Sequence, residues 1–390
     1  MTAIPLKYLL PLLGLTVSAF VFNTSEFMPI GLLIDISHSF SMTESETGMM
    51  ITVYAWVVAL LSLPLMLLAS QMNVRKLLLL TLGCFIIGQA ASGLAVNFPM
   101  LLAARILVAC AHSIFWSIAT PLAARLVTRE HRPLALSMVA VGSSVAMILG
   151  LPLGRVIGLY AGWRMTFLLI AAVSFGIFLY LWKVFPSLTQ SKTFSKGELP
   201  ELLRQPTVQS IYLTIVLFAT SYFTVYSYIE PFLKNTAGFT PEEITLMLIL
   251  LGVSGLIGSV LFSRFYGRYR FGTILVSLFG LFTALFLWQS VSVSFYTMIG
   301  TGMFIGVLST LFNIAFQAEL IAAVPAAAAS VAMSIYSGIF NLGIGSGTFI
   351  GGQVTALGHL PHIGYVGAFI ALFAALCCSC WYIPTVKDKK

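Results

Sequence analysis

Phe22-Asn23-Thr24-Ser25-Glu26-Phe27-Met28-Pro29 places an amide, two hydroxyls and a carboxylate inside an apolar run that extends from about Tyr8 to Leu33. The run is otherwise long enough to cross a bilayer, which takes about 20 residues of helix. A carboxylate at membrane depth costs about 2.5 to 3.5 kcal/mol on insertion scales, so it persists where it faces a protein interior or a watery cavity and serves a function there. Glu26 therefore requires neighbouring helices that enclose it.

The rest of the chain can supply them. Of its 390 residues, 59% are hydrophobic and 8% charged, where a soluble domain carries about 25% charged. Apolar runs centre near residues 20, 58, 85, 113, 145, 175, 220, 252, 282, 308, 342 and 373, which predicts an all-α membrane protein of twelve transmembrane helices. Little chain is left over for a soluble catalytic domain, so an enzyme is not expected. The first run follows Lys7 but is too long for a signal-peptide core, contains Glu26 and lacks an A-x-A site, so it reads as a retained first helix.

The net charge of +8 resides in short basic clusters between the runs rather than along one soluble face, so nucleic acid is not an expected partner. An even helix count puts both termini on one side of the lipid bilayer. That side carries Lys7, Arg75, Lys76, Arg125, Arg129, Arg132, Lys183, Lys192, Lys196, Arg204, Arg264, Arg268, Arg270, Lys387, Lys389 and Lys390, which is 16 of the 20 basic residues. Three (Arg155, Arg164, Lys234) fall on the other face and one, Arg105, within a helix. The positive-inside rule then sets both termini in the cytoplasm.

Cys84, Cys110, Cys377, Cys378 and Cys380 all fall within apolar runs without zinc-ligand spacing, so they read as packing residues. The sequence has neither a G-x-x-x-x-G-K-[ST] loop nor H-E-x-x-H. No metal or cofactor is expected, and uphill work would draw on an ion gradient. Intramembrane ionisable groups make protons the natural ion.

A Ser/Thr/Lys-bearing stretch, residues 186–206, divides the chain into a six-helix half over residues 1–185 and another over 207–390. The halves resemble one another at an offset of about 197: Phe115 matches Phe312, and Ser137, Gly150 and Gly154 match Ser334, Gly347 and Gly351.

Glu26 lies about 10 Å from the outer end of its helix at 1.5 Å per residue, and Arg105 falls at a similar depth on the fourth helix. Matched depth permits an ion pair, or an exchange in which Arg105 holds Glu26 until a proton or substrate displaces it. A purely structural pair is the alternative reading. Arg105, His112 and Trp116 share one face of the fourth helix, which points to cavity lining and, for His112, to proton coupling. On the seventh helix Tyr222 and Tyr226 are spaced i, i+4 below Tyr228 and Glu230, which an interfacial belt would also explain. Asn313 and Gln317 on the tenth helix are likewise i, i+4, and Asn341 lies mid-way along the eleventh. With Asn23, these neutral amides and phenols suit a hydroxyl-rich ligand. Gly142, Gly150, Pro152, Gly154 and Gly158 on the fifth helix, and Gly338, Gly343, Gly345, Gly347 and Gly351 on the eleventh, permit close helix approach and suggest paired rocking surfaces.

The stretches FNTSEFMPIGLL, YAWVVALLSLPLM, AHSIFW, LGLPLGRVIG, GWRMTF, YSYIEPF and SGIFNLGIG are spread over the whole chain. Together they resemble the twelve-helix drug:proton antiporter branch of the major facilitator superfamily, and within it the bacterial sugar efflux transporters of the arabinose-exporting kind. The superfamily's G-x-x-x-D-R-x-G-R-R loop is here Ser70-Gln71-Met72-Asn73-Val74-Arg75-Lys76, and Leu151 separates Gly150 from Pro152 where the antiporter signature has Gly-Pro adjacent. The resemblance implies two pseudo-symmetric six-helix bundles and proton-coupled export of arabinose-like sugars, thiogalactoside analogues or polyols. It further implies alternating access in the bacterial inner membrane, with a competent monomer. Glu26, Arg105 and His112 would couple protons; Asn23, Trp116, Tyr222, Tyr226, Asn313, Gln317 and Asn341 would bind substrate; Gly150, Pro152, Gly154 and Gly347 would serve gating or helix packing. Two alternatives stand: a multidrug antiporter for amphipathic compounds, favoured by a cavity lined mainly with phenylalanine, and a non-transporting membrane sensor or scaffold.

Overall fold

The computed structural model describes residues 5–69, 72–128, 131–186, 203–325 and 328–387, and every regular element among them is helical. Ser70, Gln71, Arg129, Lys389, Lys390 and most of the expected linker, with Lys192 and Lys196, lie outside the described residues. Twelve principal helices follow in order: α1 (Leu6–Phe27), α2 (Glu44–Ala69), α3 (Val74–Gly93), α4 (Phe98–Leu126), α5 (Arg132–Ala161), α6 (Trp163–Val184), α7 (Pro206–Tyr226), α8 (Pro241–Phe265), α9 (Arg270–Phe286), α10 (Phe295–Ala323), α11 (Ala329–Ala356) and α12 (Ile363–Cys377). This is the all-α, twelve-helix membrane fold that the apolar runs predict. Among the described residues, nine segments are long and apolar enough to cross a membrane. The others are α9, which spans 17 residues, α5, which carries two shorter apolar stretches, and the glycine-rich α11.

Local chemistry sets the helix ends. Asn73 accepts from the backbone N–H groups of Arg75 and Lys76, and Asn97 accepts from that of Met100. Thr240 and Glu243 cap α8 reciprocally. Gly162, at φ 83°, turns the chain from α5 into α6, a conformation that a β-carbon would strain. Two helices break at their C-terminal ends. Past α1 the chain tightens into a 3₁₀ turn over Met28–Leu32, which carries Pro29, and resumes as a short helix, Leu33–Phe40. Past α7 it passes through Ile229–Pro231 into a π turn over Phe232–Thr236.

Burial runs opposite to that of a soluble protein. Leu60, Ile87, Val260 and Phe369 are each at least 63% exposed, while Ser25, Gln89, Arg105, Thr214, Glu230 and Glu319 are buried. Lipid solvates the outward apolar side chains at no cost, so polarity accumulates inside, where helices and side chains satisfy it.

The described residues form two compact units, one from Met1–Ser41 and Leu60–Thr193, the other from Met42–Ala59 and Phe194–Lys390. The first half of α2 thus packs with the second unit. Within the first unit, α1 lies against α5: a β-carbon on Gly150 would sit 3.0 Å from Thr24 Cα, and one on Gly154 would sit 2.7 Å from Met28 Cβ. Phe22 stacks on Phe85 at 4.0 Å and on Phe115 at 4.1 Å, which ties α1 to α3 and α4. Arg155 donates to the Gly31 carbonyl at 3.3 Å and pairs with Asp35 at 3.5 Å, which holds the continuation of the chain past α1. In the second unit α11 packs on α7 in the same manner, with Gly347 against the backbone of Thr220 and Thr224. The Gly150/Gly347 match in the sequence is therefore one contact made twice.

Candidate functional site

Polar side chains gather in each unit. In the first, Glu26 is 8% exposed, and its Oε2 lies 3.6 Å from His112 Nε2. Its neighbour Ser25 accepts from Arg105 Nη1 at 3.3 Å and from the Gln89 amide. Arg105 and His112 are two turns apart on α4, so they meet successive residues of α1. Matched depth permitted an ion pair between Glu26 and Arg105 or an exchange on one site; the structure sets His112 beside Glu26 and Arg105 on the adjacent hydroxyl, near enough for its charge to act on both. The His112 ring lies 6.1 Å from Phe22 and 6.2 Å from Trp116, which is itself edge-on to Phe115. At this separation the carboxylate and the imidazole lie just beyond hydrogen-bond length, and either one can carry a proton. The guanidinium supplies a permanent positive charge alongside.

The other first-unit residues are engaged in packing. The Asn23 amide donates to the Ser143 hydroxyl across to α5. Pro152 is buried mid-helix without ending α5, and Gly150 and Gly154 form the α1 contact described above.

In the second unit, Asn313 Oδ1 accepts from Tyr336 at 2.9 Å and from Gln317 at 3.2 Å. Tyr222 and Tyr226 stack with centroids 4.9 Å apart. Asn341 donates to the Ser337 carbonyl at 3.1 Å, while its Oδ1, in a side chain only 5% exposed, has no hydrogen-bond partner among the described residues. Neutral donors and acceptors thus collect on α7, α10 and α11.

Three participants escaped sequence reasoning. Tyr336 completes the Asn313 cluster. Gln89 completes the Ser25 cluster from α3. Glu319 on α10 has a fully buried side chain and is held by Arg270, Tyr266 and Tyr382. An acid in an apolar run marked Glu26, and the same rule marks Glu319. Among the described residues no group of three or more His, Cys, Asp or Glu side chains could hold a metal ion.

Comparison with solved structures identifies the fold. A bacterial homologue of the human lysosomal transporter Spinster, in an inward-facing and unoccupied conformation, superposes with a TM-score of 0.81 at 16% identity, covering 99% of both chains. The inward-facing and occupied conformation gives a TM-score of 0.75 at 18% identity over 96% of each. A family model described as the Major Facilitator Superfamily matches residues 15–288 and, in a second overlapping match, residues 211–390. With twelve helices, a lipid-facing apolar surface and buried polar clusters in place, the chain belongs to the Major Facilitator Superfamily and is a multi-pass membrane transporter of small molecules.

Proposed function

We propose that this transporter exports sugars or related polyols across a bacterial inner membrane by alternating access, driven by protons, with both termini in the cytoplasm and the monomer as the working unit. Its two six-helix repeats, residues 1–185 and 207–390, would be joined by a linker over 186–206. The observation that carries the reading is the cluster of neutral hydrogen-bonding groups formed by Asn313, Gln317 and Tyr336, with the buried, unpartnered carbonyl of Asn341 on the next helix. Such groups donate to and accept from hydroxyls without fixing a charge. The sequence resemblance to sugar efflux transporters supports the same substrate class. Glu26 and His112 would carry the proton, and Arg105 would bias it.

Amphipathic drugs are the second reading, prompted by the aromatic row of Phe218, Phe312 and Phe316, stacked at 3.5 and 4.4 Å. These three rings are at most 1% exposed, so they form core rather than lining, which favours sugars. Uptake of labelled arabinose into inverted vesicles tests the proposal. Accumulation that an uncoupler abolishes is the expected result. Uptake of a lipophilic cation but no sugar would transfer the assignment to drugs, and no gradient-dependent flux of either would leave a sensor or scaffold.

A further inference from the structure

The outer half of α2 and the helix α11 face one another in a fixed antiparallel register. Ser45 Oγ donates to the Gly352 carbonyl at 2.7 Å. A β-carbon on Gly345 would lie 3.0 Å from the Thr52 carbonyl and 2.6 Å from Trp56 Nε1, and one on Gly338 would lie 3.5 Å from the Ala59 carbonyl. Each step of seven residues along α2, from Ser45 to Thr52 to Ala59, matches a step of seven back along α11. In that register Trp56 stands opposite Asn341. The indole does not meet the amide; it leans the other way, over Gly345 and towards Phe349, whose ring centroid is 5.7 Å distant.

Three buried polar atoms along this strip have no hydrogen-bond partner among the described residues: Thr52 Oγ1, Trp56 Nε1 and Asn341 Oδ1. Thr52 is fully buried and Asn341 is 5% exposed. Leaving a single buried donor or acceptor unsatisfied costs about 1 to 3 kcal/mol, so three on one strip point to a polar occupant. The spacing also fits one. Gly345, beneath the indole N–H, is four residues from Asn341, a rise of about 6 Å along the helix. Two hydrogen bonds that meet at one hydroxyl oxygen set their outer partners about 4.5 to 5 Å apart, which side chains based at that rise can reach.

We infer that α2 contributes directly to the substrate site, with Trp56 Nε1 donating to and Asn341 Oδ1 accepting from a hydroxyl of the bound sugar, and Thr52 Oγ1 meeting a neighbouring hydroxyl. This inference rests on the sugar reading above and extends it to a helix that reading does not use. It also explains why a tryptophan stands opposite Asn341: its N–H selects a hydroxyl oxygen, and its ring seals the strip against Phe349.

The test is calorimetric binding of arabinose to the purified full-length protein and to Trp56→Phe and Asn341→Leu variants. Trp56→Phe keeps a ring and removes only the N–H. Each variant should weaken arabinose binding about tenfold, and the double variant should lose little more than either single one, because both act through one hydroxyl. The melting temperature of Trp56→Phe without sugar should stay close to wild type, since its N–H has no protein partner among the described residues to lose, whereas Asn341→Leu also gives up the bond to the Ser337 carbonyl and should melt slightly lower. Wild-type affinity in both variants, with or without a change in melting temperature, would overturn the role of α2 while leaving the sugar reading intact. If the wild type binds neither arabinose nor a thiogalactoside, the sugar reading itself falls and the inference with it. Should Trp56→Phe fail to fold, Thr52→Val gives the same comparison.

Discussion

Glu26, His112 and Arg105 combine one charge that can come and go with one that cannot. A guanidinium keeps its proton throughout, so any proton that moves must sit on the carboxylate or on the imidazole 3.6 Å away. Glutamine in place of Glu26 retains the shape and most hydrogen bonds of the protonated acid. Glu26→Gln should therefore bind sugar within about threefold of wild type but lose proton release on binding and gradient-driven export. Proton release measured in weakly buffered detergent solution decides this; persistence in Glu26→Gln and loss in His112→Gln would make His112 the carrier. All three residues could be picked out of the sequence because ionisable groups at membrane depth are rare. Their pairing could not. Depth follows from counting along a helix, but which residue of α4 meets which residue of α1 depends on the rotation of each about its axis, and stacking of Phe22 between Phe85 and Phe115 sets that rotation.

At the level of helices, glycine decides who touches whom. A β-carbon on Gly347 would meet the backbone of α7, 2.8 Å from Thr224 N, whereas one on Gly176 in α6 would meet nothing within 4 Å. Gly347→Ala is accordingly expected to lower the yield of monodisperse protein on size-exclusion chromatography, and Gly176→Ala to leave it unchanged. Equal yields would mean that α11 shifts to make room. A second tie, through Glu319, joins α10 to Arg270 at the start of α9, to Tyr266 at the end of α8 and to Tyr382 in the turn that follows α12. Burial, and then the bond to Glu319, hold the Tyr266 hydroxyl well above the usual phenol range, so it remains a donor. Removing the acid in Glu319→Ala orphans two phenols and a guanidinium. Because Arg270 is 31% exposed and can rehydrate, the cost should be about 2 to 3 kcal/mol, below that of a fully buried pair. A melt in detergent should show the drop, with Glu319→Gln intermediate; an unchanged midpoint would make the cluster dispensable. Sequence periodicity found the glycine rows but not their partners, because small residues on two faces of α11 serve two neighbours, Gly347 against α7 and Gly345 against α2.

At the scale of the molecule, hydropathy made the helical membrane architecture readable in advance, since lipid imposes one simple demand on every outward side chain. The breaks beyond α1 and α7 were less readable, because a proline signals a bend without specifying a 3₁₀ or a π turn. Charge asymmetry makes its own forecast. Arg155 is engaged by Asp35 and Gly31, so under the proposed topology it would count little as an outer positive charge and the cytoplasmic excess would exceed the residue count. In a background lacking the native cysteines, Arg268→Cys should react with an impermeant thiol reagent only after permeabilisation, and Lys234→Cys in intact cells. The reverse pattern would invert the proposed topology.

The interrupted ends of α1 and α7 have a further consequence for amide deuterium uptake. Most amides here lie in long helices whose i→i−4 bonds are shielded by lipid or by protein, so their exchange should be slow. Met28–Leu32 and Phe232–Thr236 use looser hydrogen-bond geometries, and local opening there disrupts fewer well-formed bonds. Two islands of early uptake are expected just past the ends of otherwise protected helices, one in each unit. Each follows closely upon a buried glutamate, Glu26 or Glu230, so substrate or pH that alters those side chains should change the uptake of the adjoining island first.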